Sequence, residues 1–432
     1  MTLNLSSKSS LEVHMYLFAF LAPYSVTQWN KAVLLLLLLS ALFTLFYSLT
    51  LSKKLVSEPY SLKVIVIFLL IFVIALFAII INRDHLVGNY LREVIVGRLF
   101  TLIALSFNLA ILHLWLSTAE EKELKRILII GFSSLLVFIM LGYWQLIGGY
   151  LGIPFFVETR DWMHGVPSAL RAILPSRVTS IAEEPNFLAP LLIEFILLSL
   201  LLLKGKWNKR IIVGATLLIL VLSFSGGAYV NLFLIAAMAF CLVALKTVMT
   251  SRVKITHFFV LTLFLAFSLA FAYFGTLIFE FIYYKFQHET SGGSSRSQFL
   301  VSLTKLLIES DLLQLVFGHG LATMSALNEF GMRSEDYLFR ISNNFILDMF
   351  WEGGIASVLS ILLFYSLLFY PGIKRFHISK WSYIGLLMSM HLVVTSTYRS
   401  EYLSTHFTWV IMLILTIYAY EKRTKLSEQS ND

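Results

Sequence analysis

Ile211 to Leu245 reads IIVGATLLILVLSFSGGAYVNLFLIAAMAFCLVAL, an uncharged run set between Lys204, Lys206, Lys209 and Arg210 before it and Lys246, Arg252 and Lys254 after it. Basic residues collect in the cytoplasmic loops of membrane proteins. Both ends of the run therefore belong on one side of a bilayer, and the chain must cross twice. Ser225-Gly226-Gly227 is the natural tight turn between the two crossings.

The pattern extends outward in both directions. Of the residues, 58% are hydrophobic and 13% charged, with a mean hydropathy of +0.82, the composition of an all-α polytopic membrane protein. A span needs roughly 20 apolar residues, and about twelve such stretches are expected. They fall near 13–28, 32–52, 62–82, 95–117, 127–149, 186–203, 210–225, 226–245, 255–279, 345–370, 380–398 and 403–420. The first lacks a small-residue cleavage site, so no cleaved signal peptide is expected. The lone Cys241 leaves neither a disulfide framework nor a cysteine metal site. The net charge of +8 is read as membrane-loop charge, not as a nucleic-acid surface. Three regions follow: N-terminal spans over 1–157, a core over 158–370 with polar loops at 158–186 and 280–344, and C-terminal spans with a basic tail over 371–432.

With both termini inside, 20 of the 33 basic residues fall on the cytoplasmic side, fifteen of them Lys. The other side carries Lys31, Lys285 and Lys305 against ten arginines: Arg83, Arg92, Arg98, Arg160, Arg171, Arg177, Arg296, Arg333, Arg340 and Arg399. Arginine presents a planar, permanently charged fork that suits phosphate and carboxylate, whereas lysine is a hydrated point charge. An arginine-rich outer face points to a phosphate-bearing ligand; the plainer reading pairs some of these arginines with Glu183, Glu184, Asp336 and Glu352.

The interval Glu280 to Asn344 is long, polar and carries a Gly-Ser hinge at Ser291–Ser295. The spacing of Phe299, Leu300, Leu303, Leu306 and Leu307 predicts helix within it, hence a folded extracytoplasmic loop. In the second interval, Glu158 to Asn186, Pro185 fixes a helix start and leaves Glu183 and Glu184 at the membrane boundary with Arg177. A carboxylate shielded there can act as acid or base; equally, it can complement the helix dipole. Within the spans Glu194 and His391 are the notable polar residues, and Arg98 is a candidate partner for Glu194. The ten His show no metal-ligand spacing, and there is no phosphate-binding loop, no GxSxG elbow and no visible internal repeat.

Five segments in order carry a resemblance: RVTSIAEEPNFLA (Arg177–Ala189), LSFSGGA (Leu222–Ala228), RSQFL (Arg296–Leu300), FGHGL (Phe317–Leu321) and SNNFILDMFWEGGI (Ser342–Ile355). Together, over roughly 170–370, the chain resembles the O-antigen polymerase and ligase superfamily. The resemblance implies a GT-C-like glycosyltransferase of the bacterial plasma membrane, working on its extracytoplasmic side on undecaprenyl-diphosphate-linked sugars, with no metal, cofactor or nucleotide sugar. Where ligases of this group carry a His-Asn pair, this chain has Asn343-Asn344, which favours a polymerase over a ligase. Where many members carry Ser-Arg-Gly, it has Ser225-Gly226-Gly227.

For a polymerase the resemblance implies transfer of the growing glycan from undecaprenyl diphosphate to the non-reducing end of a lipid-linked repeat. Arg296 and Arg177 would stabilise the leaving diphosphate and Glu184 would serve the acceptor hydroxyl, with Arg171, Arg333, Arg340, His319, Asn343 and Asn344 binding substrate. A chain-length regulator and a flippase are the expected protein partners. A flippase or a non-enzymatic envelope scaffold are the readings from other classes.

Overall fold

A computed structural model of the chain describes residues 3–49, 59–83, 95–153, 155, 177–250, 303, 307–323, 344–399 and 403–429. The expected span 255–279, the Ser291–Ser295 hinge, and Arg171, Arg296, Arg333, Arg340 and Asn343 lie outside the described residues. Among the described residues the sole β pairing is an isolated bridge between Thr27 and Ala182. The helices are α1 (Leu3–Leu21), α2 (Asn30–Leu49), α3 (Pro59–Ile81), α4 (Val96–Thr118), α5 (Glu121–Leu151), α6 (Pro185–Leu202), α7 (Lys206–Leu222), α8 (Gly226–Thr250), a short α9 (Leu312–Phe317), α10 (Phe345–Arg375), α11 (Lys380–Tyr398) and α12 (Thr405–Gln429). Seven of these (α2, α3, α4, α5, α6, α8 and α10) are long and apolar enough to cross a membrane. The break between α7 and α8 falls at Ser223–Ser225, overlapping the expected Ser225-Gly226-Gly227 turn only at Ser225, because Gly226 and Gly227 open α8.

The helices take different places in the bundle. Every position from Leu188 to Ser199 in α6 and from Thr405 to Tyr418 in α12 is buried. A helix apolar all round belongs at a centre or in lipid, and these two occupy the centre. α3 instead exposes Val66, Leu70, Val73, Phe77 and Ile80, a stripe at helical spacing that suits a lipid-facing surface. Its other face packs along α10, with Phe68 5.2 Å from Phe364 and 5.6 Å from Phe407 of α12.

α10 is broken at Gly354, whose φ of +63° and ψ of −163° lie in a region open essentially only to glycine. The break releases carbonyls that an intact helix would use. Trp351 and Glu352 carbonyls instead accept from the amides of His319 (2.8 Å) and Gly320 (2.9 Å), in the loop that follows α9. The same loop donates from Leu321 to the Ala75 carbonyl of α3, and Asn82 links it further through Gly318 and Gln314. Part of the long polar interval is therefore folded onto the bundle, and Leu303 and Leu307 of the expected periodic segment are both buried.

Contacts at the helix ends sort the chain into two ends. At one, Lys380 donates to the Leu201 carbonyl, Lys209 to Leu200, Arg423 to Leu116, and Tyr60 to Leu367. This is the lysine end. At the other, Arg177, Arg399 and Asn82 take part in the contacts that hold the loops.

Candidate functional site

The segment 177–184 is pinned before it presents any side chain. Gln145 of α5 accepts through Oε1 from the amides of Thr179 (2.9 Å) and Ser180 (2.8 Å), and Ser180 Oγ donates to the Phe138 carbonyl at 2.7 Å. The Glu183 amide donates to the Val26 carbonyl, beside the Thr27–Ala182 bridge. This leaves Arg177 facing the α7–α8 turn. Its Nε donates to the Ser223 carbonyl (3.1 Å) and its Nη2 to the Phe224 carbonyl (2.7 Å). Burial lowers the guanidinium pKa, opposed by Tyr229 and Glu184. An arginine nevertheless stays charged.

Arg177 thus closes the Ser223-Phe224-Ser225 turn from another loop. Ser225 Oγ donates to Asn186 Oδ1 at 2.7 Å, and the Ala228 amide donates back to Ser225 Oγ. Gly227 allows the Tyr398 ring to approach so closely that an added Cβ would meet it at 2.7 Å. The RVTSIAEEPN and SFSGG segments thus form one assembly.

Glu184 is the N-cap residue of α6, half-buried and extended, and its side chain makes no capping hydrogen bond. The helix dipole still favours a negative charge there. Arg399, which follows α11, lies buried with its guanidinium 4.0 Å from the Phe187 ring centroid and Nη1 3.4 Å from the Phe187 carbonyl. Glu194, Glu184 and Glu183 all act on it electrostatically. Asn344 caps α10 by accepting from Ile346 (3.0 Å) and Leu347 (3.2 Å), and its Nδ2 donates to the Thr397 carbonyl, two residues from Arg399. Arg177, Glu184, Asn344 and Arg399 therefore share one end of the bundle. His319 belongs to a separate feature: its ring stacks on Trp351 at 3.8 Å, within the seam between the α9 loop and broken α10.

Beneath this mouth lies a buried polar network. Glu194 of α6 pairs with two histidines and not with Arg98: His391 Nε2 is 3.2 Å from Oε1, and His406 Nε2 is 2.9 Å from Oε1 and 3.1 Å from Oε2. His391 Nδ1 is 3.2 Å from Asn231 Oδ1, and Asn231 donates to Thr395 (2.9 Å) and Tyr398 (3.1 Å). Both nitrogens of His391 face oxygens, so its buried polar atoms are matched within the network. Both histidines bond to Glu194, and among the described residues no His, Cys, Asp and Glu group is arranged to hold a metal ion.

Sequence reasoning singled out Glu194 and His391 but missed His406, whose one signal is an ionisable residue in an apolar run. Arg399 was counted only as one outer arginine. Two arginines, Arg177 and Arg399, and the half-buried Glu183 and Glu184 lie at one end of the bundle; such groups can hold a phosphate and take a proton from a hydroxyl. No protein-family model matches the chain, and no curated protein sequence matches it.

Proposed function

We propose that the chain is a membrane glycosyltransferase, a polysaccharide polymerase that transfers a growing glycan from undecaprenyl diphosphate to the non-reducing end of a lipid-linked repeat. It would cross the bacterial plasma membrane about twelve times, with the arginine end outside. The observation that carries this reading is convergence. Segments far apart in sequence, around Arg177, Ser225 and Asn344, meet at one end of the bundle, and they are segments that carry the resemblance to polymerases.

In the reaction, the bond between the anomeric carbon and the diphosphate oxygen breaks as the acceptor hydroxyl oxygen bonds to that carbon. The hydroxyl proton passes to Glu184, and undecaprenyl diphosphate leaves with its charge held by arginine. Arg296 is assigned to the diphosphate from its sequence context, with Arg177 and Arg340, and Arg171, Arg333 and Asn343 are assigned to substrate binding. A ligase is disfavoured by Asn343, which stands where ligases carry histidine. A flippase gains some support from the Glu194–His391–His406 network, a polar feature deep in the bundle.

Analysis of lipid-linked glycan in a deletion strain tests the proposal. Single repeats accumulating outside, restored to long chains by the wild-type gene, are expected. Repeats trapped on the cytoplasmic side would replace the polymerase with the flippase.

A further inference from the structure

At the lysine end the bundle has a partly open cavity of about 290 Å³ bounded by α3, α4, α10, α11 and α12. Tyr60, Tyr370, Leu415 and Tyr418 give it an apolar wall, and Lys374, Arg375 and Lys422 give it a basic rim. Three facts distinguish it from an ordinary basic membrane boundary. The Tyr418 hydroxyl, on a residue only 6% exposed, lines this space with no hydrogen-bond partner within 3.5 Å, although Ser389 and the Gly372 backbone act on it. Among the described residues neither Lys374 nor Arg375 forms an ion pair, whereas the Glu421 carboxylate is matched by Ser382 and Lys425. Tyr370 and Ile373, 60% and 59% exposed, leave the cavity beside a surface suited to lipid.

A buried hydroxyl without a partner is costly, and a cation pair above it invites an anion. We propose that this cavity binds the headgroup of an acidic phospholipid. The phosphate is held by Lys374 and Arg375, Tyr418 donates to a headgroup oxygen, and the acyl chains lie along Tyr370 and Ile373. The site is independent of the glycosyl-transfer reading.

Binding to the purified full-length protein in detergent tests it, with dioctanoyl phosphatidylglycerol, dioctanoyl phosphatidylcholine and inorganic phosphate as probes. Phosphatidylglycerol should bind, and the double variant Lys374→Ala/Arg375→Ala should weaken it by about 10-fold or more, since each basic residue contributes to anionic-lipid attraction. Tyr418→Phe removes only the hydroxyl; it should weaken binding several-fold while leaving the thermal midpoint of the lipid-free protein unchanged or raised. Lys204→Ala/Lys206→Ala, basic residues elsewhere at the same end, should leave binding intact. Equal binding of phosphatidylcholine, equal loss in the Lys204/Lys206 variant, unaltered affinity in Tyr418→Phe, or inorganic phosphate competing at the lipid's own concentration would each overturn the proposal.

Discussion

Arg177 shows how one residue can be read two ways. Two guanidinium nitrogens hold two successive carbonyls, which lysine, a point donor, cannot reproduce. Hydrogen bonds to charged groups are worth about 1.5–3 kcal/mol, so Arg177→Lys and Arg177→Ala should both lower the thermal midpoint. If holding the turn is its whole role, activity per folded molecule will be unchanged; a polymer defect beyond the loss of protein would mark direct contact with the diphosphate. Glu184 separates in the opposite sense. As the base, Glu184→Gln should slow transfer by roughly 10²-fold or more with the fold intact, whereas normal polymer length from this variant would leave Glu184 a dipole residue. Glu194 is argued from stability alone: Glu194→Ala strands His391 and His406 in the core and should cost about 3–5 kcal/mol. Glu194→Gln, which keeps an oxygen for one histidine, should cost less, as unfolding of the two variants in detergent will show.

At the scale of the element, α10 matters most, because its break at Gly354 is what binds the long polar interval to the bundle. A Cβ at Gly354 would lie 2.4 Å from the Val316 carbonyl carbon, and its backbone conformation excludes other residues. Gly354→Ala should therefore release the α9 loop, at a cost of about 1–3 kcal/mol in backbone strain alone. Limited proteolysis should then cut within 307–323 in the variant and spare the wild type. Equal resistance in both proteins would mean that α10 tolerates repacking. Sequence anticipated helical structure in this interval from leucine spacing. It did not anticipate that Trp351 and Glu352 would turn their carbonyls toward the loop, since WEGGI reads as continuous helix until the tertiary contact is known.

For the whole molecule, the two-ended distribution of charge makes a topological prediction. Reporters fused after Lys204 or Lys374 should read as cytoplasmic and those at Ser295 as extracytoplasmic. A cytoplasmic signal at Ser295 would remove the outer mouth and the proposed site together. The sequence alone determined the class of the protein, an all-α chain with helices apolar enough to cross a membrane, and the division of Ile211–Leu245 into two helices. Each follows from transfer free energy and loop charge, quantities summed over neighbouring residues. The tertiary structure alone decided which helices are central, because α6, apolar enough to cross a membrane as α3 is, differs from α3 in what surrounds it. It also decided that Glu194 meets His391 and His406, 197 and 212 residues away, and that Arg177 completes a turn 46 residues on. Such pairings depend on how buried polar groups find partners across helices, a non-local requirement that no periodicity records.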